Sequence, residues 1–325
     1  MPPSRFAVVA PPGLLLNASG GARDIAFSPD GRQLVYRAGG STAAGSPLVV
    51  RRLDQLDAQP IPGITGAYAP FFSPDGRWIG FFESAELKKV FVDGGPAITL
   101  CQVVGQPLGA SWGDDNSVVF ATDDRSSGLW RVSADGGEPH IVSTVDVSQG
   151  QRDHQFPFFL PGSASVLFTI VRDAPDEPDV AILDLKTGRS RTLTHGSQAE
   201  YVQAPRDQVA PGFVVYARLG VLNAVRFDPT RLETVGDAQA LIERPLVKTS
   251  GAGNYALSRA GTPEQGLRRE LVWVDRNGRE ESLGAPQRAY SGPRISPDVP
   301  GSRSESTTRI LTSGSGTWPT RRSSR

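Results

Sequence analysis

Ser28-Pro29-Asp30-Gly31-Arg32 and Ser73-Pro74-Asp75-Gly76-Arg77 are the same five residues, and Ser296-Pro297-Asp298 begins them a third time. Each full copy runs into an alternating apolar stretch, Gln33 to Tyr36 and Trp78 to Phe82, so a turn leads into a strand at both places. The turn is legible in its chemistry. Pro presets the first corner, Asp can bond its side chain back to nearby amides, and Gly accepts the positive φ that lets a strand reverse. A turn and strand that recur in this way mark a repeating supersecondary unit, and that constrains the fold more than anything else in the chain.

Weaker copies keep the strand after losing the turn residues. Trp112-Gly113-Asp114-Asp115-Asn116 precedes Ser117 to Phe120, Leu160-Pro161-Gly162 precedes Val166 to Phe168, and Pro211-Gly212 precedes Phe213 to Tyr216. The steps from Ser28 to Ser73, to Trp112 and to Leu160 are 45, 39 and 48 residues, and Phe168 to Tyr216 is again 48. A second element keeps pace with the first: strand, polar turn, strand. It is seen around Val90 to Gly95, Leu129 to Gly137, Ala181 to Gly188 and Leu271 to Gly278, with looser versions at Leu48 to Leu56 and Leu222 to Leu232.

A period in the forties with four short strands per unit is that of a β-propeller blade. Helical repeats would need apolar residues three and four apart, which are missing here. The expected fold is therefore all-β, with about six four-stranded blades beginning near Asp24, Tyr68, Leu108, His154, Tyr201 and Asn254. An incomplete further blade follows from Pro293, and the propeller spans residues 1–298. Glycine and proline, 36 and 27 of 325 residues, supply the many turns this requires, and 38% hydrophobic content is enough for cores between blades. Aromatic residues recur at blade-equivalent positions, among them Phe72, Phe81, Phe120, Phe168 and Tyr216, as packing between neighbouring blades demands.

The paired turns, the Asp-Gly-Gly turn between outer strands and the segment Leu48 to Asp54 resemble the TolB-type, WD-like propeller repeat. More narrowly, Phe71 to Phe82, Leu87 to Val90, Gly109 to Gly113 and Leu271 to Asp275 are similar to the propeller that follows the kinase domain and membrane helix of certain bacterial serine/threonine kinases. The likeness covers roughly Arg5 to Asp298. It implies a periplasmic or extracytoplasmic setting, with the catalytic apparatus upstream of the propeller. This chain has no Gly-x-Gly-x-x-Gly loop, no His-Arg-Asp and no Asp-Phe-Gly, so it carries no kinase chemistry of its own.

After Asp298 the repeat demands Gly and a strand, but a Ser-, Gly-, Thr- and Arg-rich run follows to Arg325. Residues 299–325 are expected to be either disordered or the product of a reading-frame shift near Asp298. One codon choice for Thr312 to Pro319, read two bases later, spells Ile-Trp-Ile-Trp-Asp-Leu, the outer strand of a seventh blade. Arg5 to Ala10 is strand-like and could complete a last blade. It makes a poor secretion signal, with one basic residue and Pro11-Pro12-Gly13 interrupting the apolar stretch. No apolar run reaches transmembrane length.

Lys plus Arg equals Asp plus Glu at 34 each, so no bulk field favours nucleic acid. The lone Cys101 excludes an internal disulfide and reads as buried, and three histidines without paired spacing give no metal site.

Four constellations bear on function. Gly109-Ala110-Ser111-Trp112-Gly113 matches a nucleophile elbow, which needs a strand before and a helix after; here a β-strand follows, in register with the blade turn. Asp173, Asp176, Glu177 and Asp179 form an acidic loop, but Pro175 and Pro178 interrupt it and no Gly sits where a calcium loop needs one. Asp153 and His154, at the entry of an inner strand, are candidates either to face the central channel or to bond between blades. Asn17-Ala18-Ser19 is a formal glycosylation sequon, read as chance. No catalytic residue, cofactor or metal ligand is expected. The chain reads as a non-catalytic module that binds or senses a protein or small ligand. The alternative is the gating propeller of a prolyl-oligopeptidase-like hydrolase without its catalytic domain.

Overall fold

The structure, a computed structural model, describes residues 14–17, 21–39, 46–55, 57–173, 177–204, 212–243 and 255–257, with backbone strands at 272–274, 280–282, 294–295 and 310–311. Five antiparallel sheets of four strands follow one another in chain order. The first holds β1 (Ile25–Phe27), β2 (Gln33–Arg37), β3 (Leu48–Arg52) and β4 (Ala58–Pro60). The second holds β5 (Tyr68–Phe72), β6 (Trp78–Glu83), β7 (Glu86–Phe91) and β8 (Ile98–Gln102). The third holds β9 (Pro107–Trp112), β10 (Ser117–Thr122), β11 (Trp130–Ser133) and β12 (His140–Ile141). The fourth holds β13 (Gln151–Phe159), β14 (Ser165–Arg172), β15 (Asp179–Asp184) and β16 (Ser190–His195). The fifth holds β17 (Ser197–Gln203), β18 (Gly212–Arg218), β19 (Val221–Asp228) and β20 (Glu233–Glu243). These are five blades of a β-propeller, and all five lie in one compact unit, Ala10–Gly261.

Strand alternation explains why the blades stack. Successive side chains of a strand point to opposite faces, and both faces of a middle strand meet a neighbouring blade. Phe81 packs toward the first blade with Val35 and Leu48, while Phe82 packs toward the third with Trp112 and Phe120. Val119 then faces Phe159 and Phe168 of the fourth blade, whose Leu167 turns to Tyr201, Val214 and Phe227 of the fifth. The recurring aromatics are therefore inter-blade core, as their spacing suggests.

The repeated turn is built as its chemistry predicts. Ser28 Oγ donates to Asp30 Oδ1 at 2.6 Å and accepts from Gln33 N–H at 2.9 Å, and Arg32 N–H donates to Asp30 at 3.0 Å. Ser73, Asp75, Arg77 and Trp78 repeat those three distances. Gly31 and Gly76 both have φ of +70°. The third blade keeps the circuit with its parts exchanged. Gly113 holds the place of the serine, and the hydroxyl comes from Ser117, which donates to Asp115 Oδ1 at 2.7 Å.

The blade count needs correcting. The described residues hold five four-stranded blades, and the sixth and seventh expected from Asn254 and Pro293 fall largely outside them. The Leu271 to Gly278 region does form part of a hairpin, β21 (Val272–Val274) paired with β22 (Glu280–Ser282). Between Gly261 and Glu270, however, Leu267 is the one large apolar residue. In sequence that stretch lacks the apolar run to which Val119 or Phe168 belongs elsewhere. In the span expected to lack structure, β24 (Ile310–Leu311) pairs with β23 (Arg294–Ile295). Arg5 to Ala10 and Ser296-Pro297-Asp298 lie outside the described residues. Among the described residues, no helix is long and apolar enough to cross a membrane.

Candidate functional site

The inner strands β1, β5, β9, β13 and β17 surround a depression at the centre of the five blades, with Ala256 and Leu257 completing its wall. Four of these strands carry the same distortion. In β5 the chain advances from Tyr68 to Phe71 while its partner moves only from Phe82 to Gly80. Equivalent extra residues lie between Pro107 and Ala110, between Gln155 and Phe158, and between Ser197 and Glu200. Each is a β-bulge, which bends the strand and re-aims its side chains. At each, one residue takes positive φ: Ala69 at 52°, Gly109 at 110°, Phe156 at 52° and Gln198 at 53°. Pro70 and Pro157 occupy two of the bulges, where a missing N–H breaks no ladder. A Cβ on Gly109 would lie 3.1 Å from the Phe156 backbone, so glycine there admits the neighbouring bulge.

Most of the side chains that line it are apolar. Phe27, Phe71, Trp112, Phe156 and Phe158 contribute rings, and alanines and prolines separate them. Among the described residues that line it, the charged ones are Arg23 and Glu200, which form an ion pair between the segment before β1 and strand β17. The Arg23 guanidinium also lies 5.5 Å from the centre of the Tyr255 ring. Tyr255 donates its hydroxyl to the Gln198 carbonyl, and burial raises its ionisation well above the usual phenol range. The Glu200 side chain is 3% exposed and that of Arg23 is 22% exposed, so the cation is the member of the pair that solvent reaches.

Asp153 and His154 sit elsewhere, at the boundary of the third and fourth blades. Leu129 N–H donates to Ser143 Oγ at 2.8 Å, and Ser143 Oγ lies 2.8 Å from His154 Nδ1. His154 Nε2 lies 3.0 Å from Gln151 Oε1, which can only accept, so the ring proton is on Nε2 and Ser143 donates to Nδ1. Burial lowers the His154 pKa to about 4, and its ring stands edge-on to Phe168. Asp153 accepts from His154 N–H at 2.8 Å and from Gln155 Nε2 at 2.7 Å, and burial raises its pKa to about 6. His154 thus bonds to Ser143 of the third blade, whereas the bonds of Asp153 stay within its own strand.

Ser111 lies within β9 and is followed by a turn and β10, so no elbow forms. Its Oγ accepts from Phe159 N–H at 2.9 Å, a buried bond from the third blade to the fourth. Asp114 N–H donates to Ser163 Oγ at 2.6 Å, and Gly162 N–H returns to Asp114 Oδ2 at 3.1 Å. In the acidic loop Asp179 takes Arg172 at 2.7 Å and His195 at 2.8 Å, Glu177 takes Arg218 at 2.9 Å, and Asp176 lies outside the described residues. No group of three or more His, Cys, Asp or Glu able to hold a metal occurs among the described residues. Cys101 is buried, and burial pushes its thiol up to about 11.

Sequence reasoning missed the channel wall. Its signal was present in Ala69-Pro70-Phe71-Phe72 and Phe156-Pro157-Phe158-Phe159, where a proline inside an otherwise apolar strand marks a bulge. The Arg23–Glu200 pair has no local signal, because its members come from opposite ends of the five-blade array.

No protein-family model matches the chain, and no curated protein matches it in sequence. Solved structures do. TolB from Acinetobacter baumannii is similar at 18% identity and a TM-score of 0.52, over 68% of this chain and 54% of that one. An oligogalacturonate lyase from Vibrio parahaemolyticus is similar at 12% identity and a TM-score of 0.51, over 87% of this chain and 81% of its own. The chain thus spans about half the length of the TolB structure. At these identities the likeness is one of fold, and the fold is a TolB-like β-propeller.

Proposed function

We propose that the chain is a non-catalytic binding or sensing module whose ligand seats in the central channel. One observation carries this reading: five inner strands converge on a depression lined mostly by apolar side chains with, among the described residues, one ion pair, and four of the strands are bulged there. A concavity with a few convergent polar groups is where a fold of this kind can seat part of a ligand, and the volume here is about 90 Å³. The non-catalytic reading draws support from Ser111 and His154, the residues with most catalytic promise in sequence, which are occupied in bonds between blades. We also assign the propeller to the region that follows a serine/threonine kinase domain, on the strength of the Phe71 to Phe82 and Leu271 to Asp275 segments. The coding sequence upstream tests that assignment, which fails if no kinase domain and membrane span are encoded there.

The channel itself is tested by selection and obstruction. Ligands selected by the intact chain from displayed peptides and a small-molecule set should lose about tenfold or more in affinity for Ala110→Trp, which fills the channel. Binders indifferent to that substitution would place the site elsewhere. Labelling of Ser111 by a fluorophosphonate would overturn the non-catalytic reading.

A further inference from the structure

We propose that the channel selects ligands presenting a carboxylate on an apolar body, with the carboxylate seated on Arg23. This rests on the channel's being the binding site. Arg23 and Glu200 are the charged groups on the described wall, and they are unequally accessible, 22% against 3% of the side chain. An entering group therefore meets the guanidinium first. A cation would have to reach Glu200 behind its partner and leave Arg23 uncompensated in an apolar setting, which is costly.

The guanidinium suits a second anion. It carries five N–H donors in a planar fork, and one carboxylate engages at most two of them. The Tyr255 ring lies against it, and the Tyr255 hydroxyl is committed to the Gln198 carbonyl, so that phenol holds the cation from one side. The remainder of the described wall offers Phe27, Phe71, Trp112 and Phe158 with Pro70 and Pro157, surfaces for an aromatic or aliphatic body, and among the described residues no further charge. A carboxylate drawn into such a setting makes charge-assisted hydrogen bonds that water screens poorly.

Calorimetric titration of the full chain with 4-phenylbutyrate, 4-phenylbutanamide and 4-phenylbutylamine tests this. The acid should bind about tenfold or more tightly than either the amide or the amine, and Ala110→Trp should abolish its binding. Arg23→Gln combined with Glu200→Gln removes both charges and should erase the preference for the acid. Arg23→Lys keeps the charge without the fork and should weaken the acid while preserving its rank. Equal binding of the three probes, all lost in Ala110→Trp, overturns the carboxylate inference and leaves the channel as the site. Acid binding that survives Ala110→Trp overturns both. Failure of the acid to bind, or a preference for the amine, overturns the inference.

Discussion

Burial acts in opposite directions on the neighbours Asp153 and His154. The His154 pKa falls from 6.5 to about 4, so the native state resists a proton that the unfolded chain accepts. Its contribution is present above pH 6.5 and is lost as pH falls toward 4. The Asp153 pKa rises from 3.8 to about 6, so its contribution is present below pH 3.8 and is lost as pH rises through 6. Over most of that window the two oppose each other. Asp153→Asn should therefore gain stability relative to the parent as pH rises from 4 to 6, and His154→Gln should lose less than the parent on acidification. Thermal melts of the three proteins at half-unit pH steps check both; parallel curves would refute the assignment. Ser111→Ala should cost about 1–3 kcal/mol, because the Phe159 N–H is left buried without its acceptor. Gly76→Ala meets no atom closer than 3.6 Å, so its cost should be the strain of φ +70° alone, about 1 kcal/mol. Gly80→Ala would place a Cβ 2.2 Å from the Phe71 ring and should cost more, about 1–3 kcal/mol. Chemical denaturation ranks the three.

Within elements, the strands were readable and their distortions only in part. Alternation located the middle strands because burial on both faces forces large apolar residues into β6, β10 and β14. Asp and Gly located the turns because few other residues satisfy that geometry. The third blade shows where the motif fails as a guide: its hydroxyl arrives from Ser117 instead of from the position before the turn, so the circuit persists without the signature. Two bulges carried a sign in Pro70 and Pro157, while those at Gly109 and Gln198 were hidden because a single extra residue barely disturbs the strand pattern. The further blades were expected because a turn and the Leu271 to Gly278 segment resemble the repeat; of that region the described residues hold the β21–β22 hairpin. The β18–β19 hairpin offers a test at this scale. Its two-residue turn has Leu219 at φ 49° and Gly220 at 73°, a geometry that favours Asn-Gly. Leu219 is 79% exposed and gains little from packing. Leu219→Asn should raise stability by about 0.5–1 kcal/mol, seen as a higher melting temperature; a decrease would show that the leucine has a partner.

Across the molecule, each pair of adjacent blades shares its own core and its own polar link, so energetic coupling should follow adjacency. Asp114→Ala and Ser163→Ala remove two parts of one link between the third and fourth blades and should be non-additive, whereas Ser28→Ala and Ser163→Ala should add to within about 0.5 kcal/mol. A double-mutant cycle in urea decides it, and strong coupling between the distant pair would mean that strain spreads around the array.

The buried cysteine has a practical consequence. Cys101 is the single cysteine of 325 residues, it is enclosed, and its thiol ionises only near pH 11. At neutral pH a maleimide should leave the native protein unmodified, and a cysteine introduced at the exposed tip residue Val147 should take one dye. The chain thus arrives ready for single-site fluorescent reporting, with no background thiol to remove.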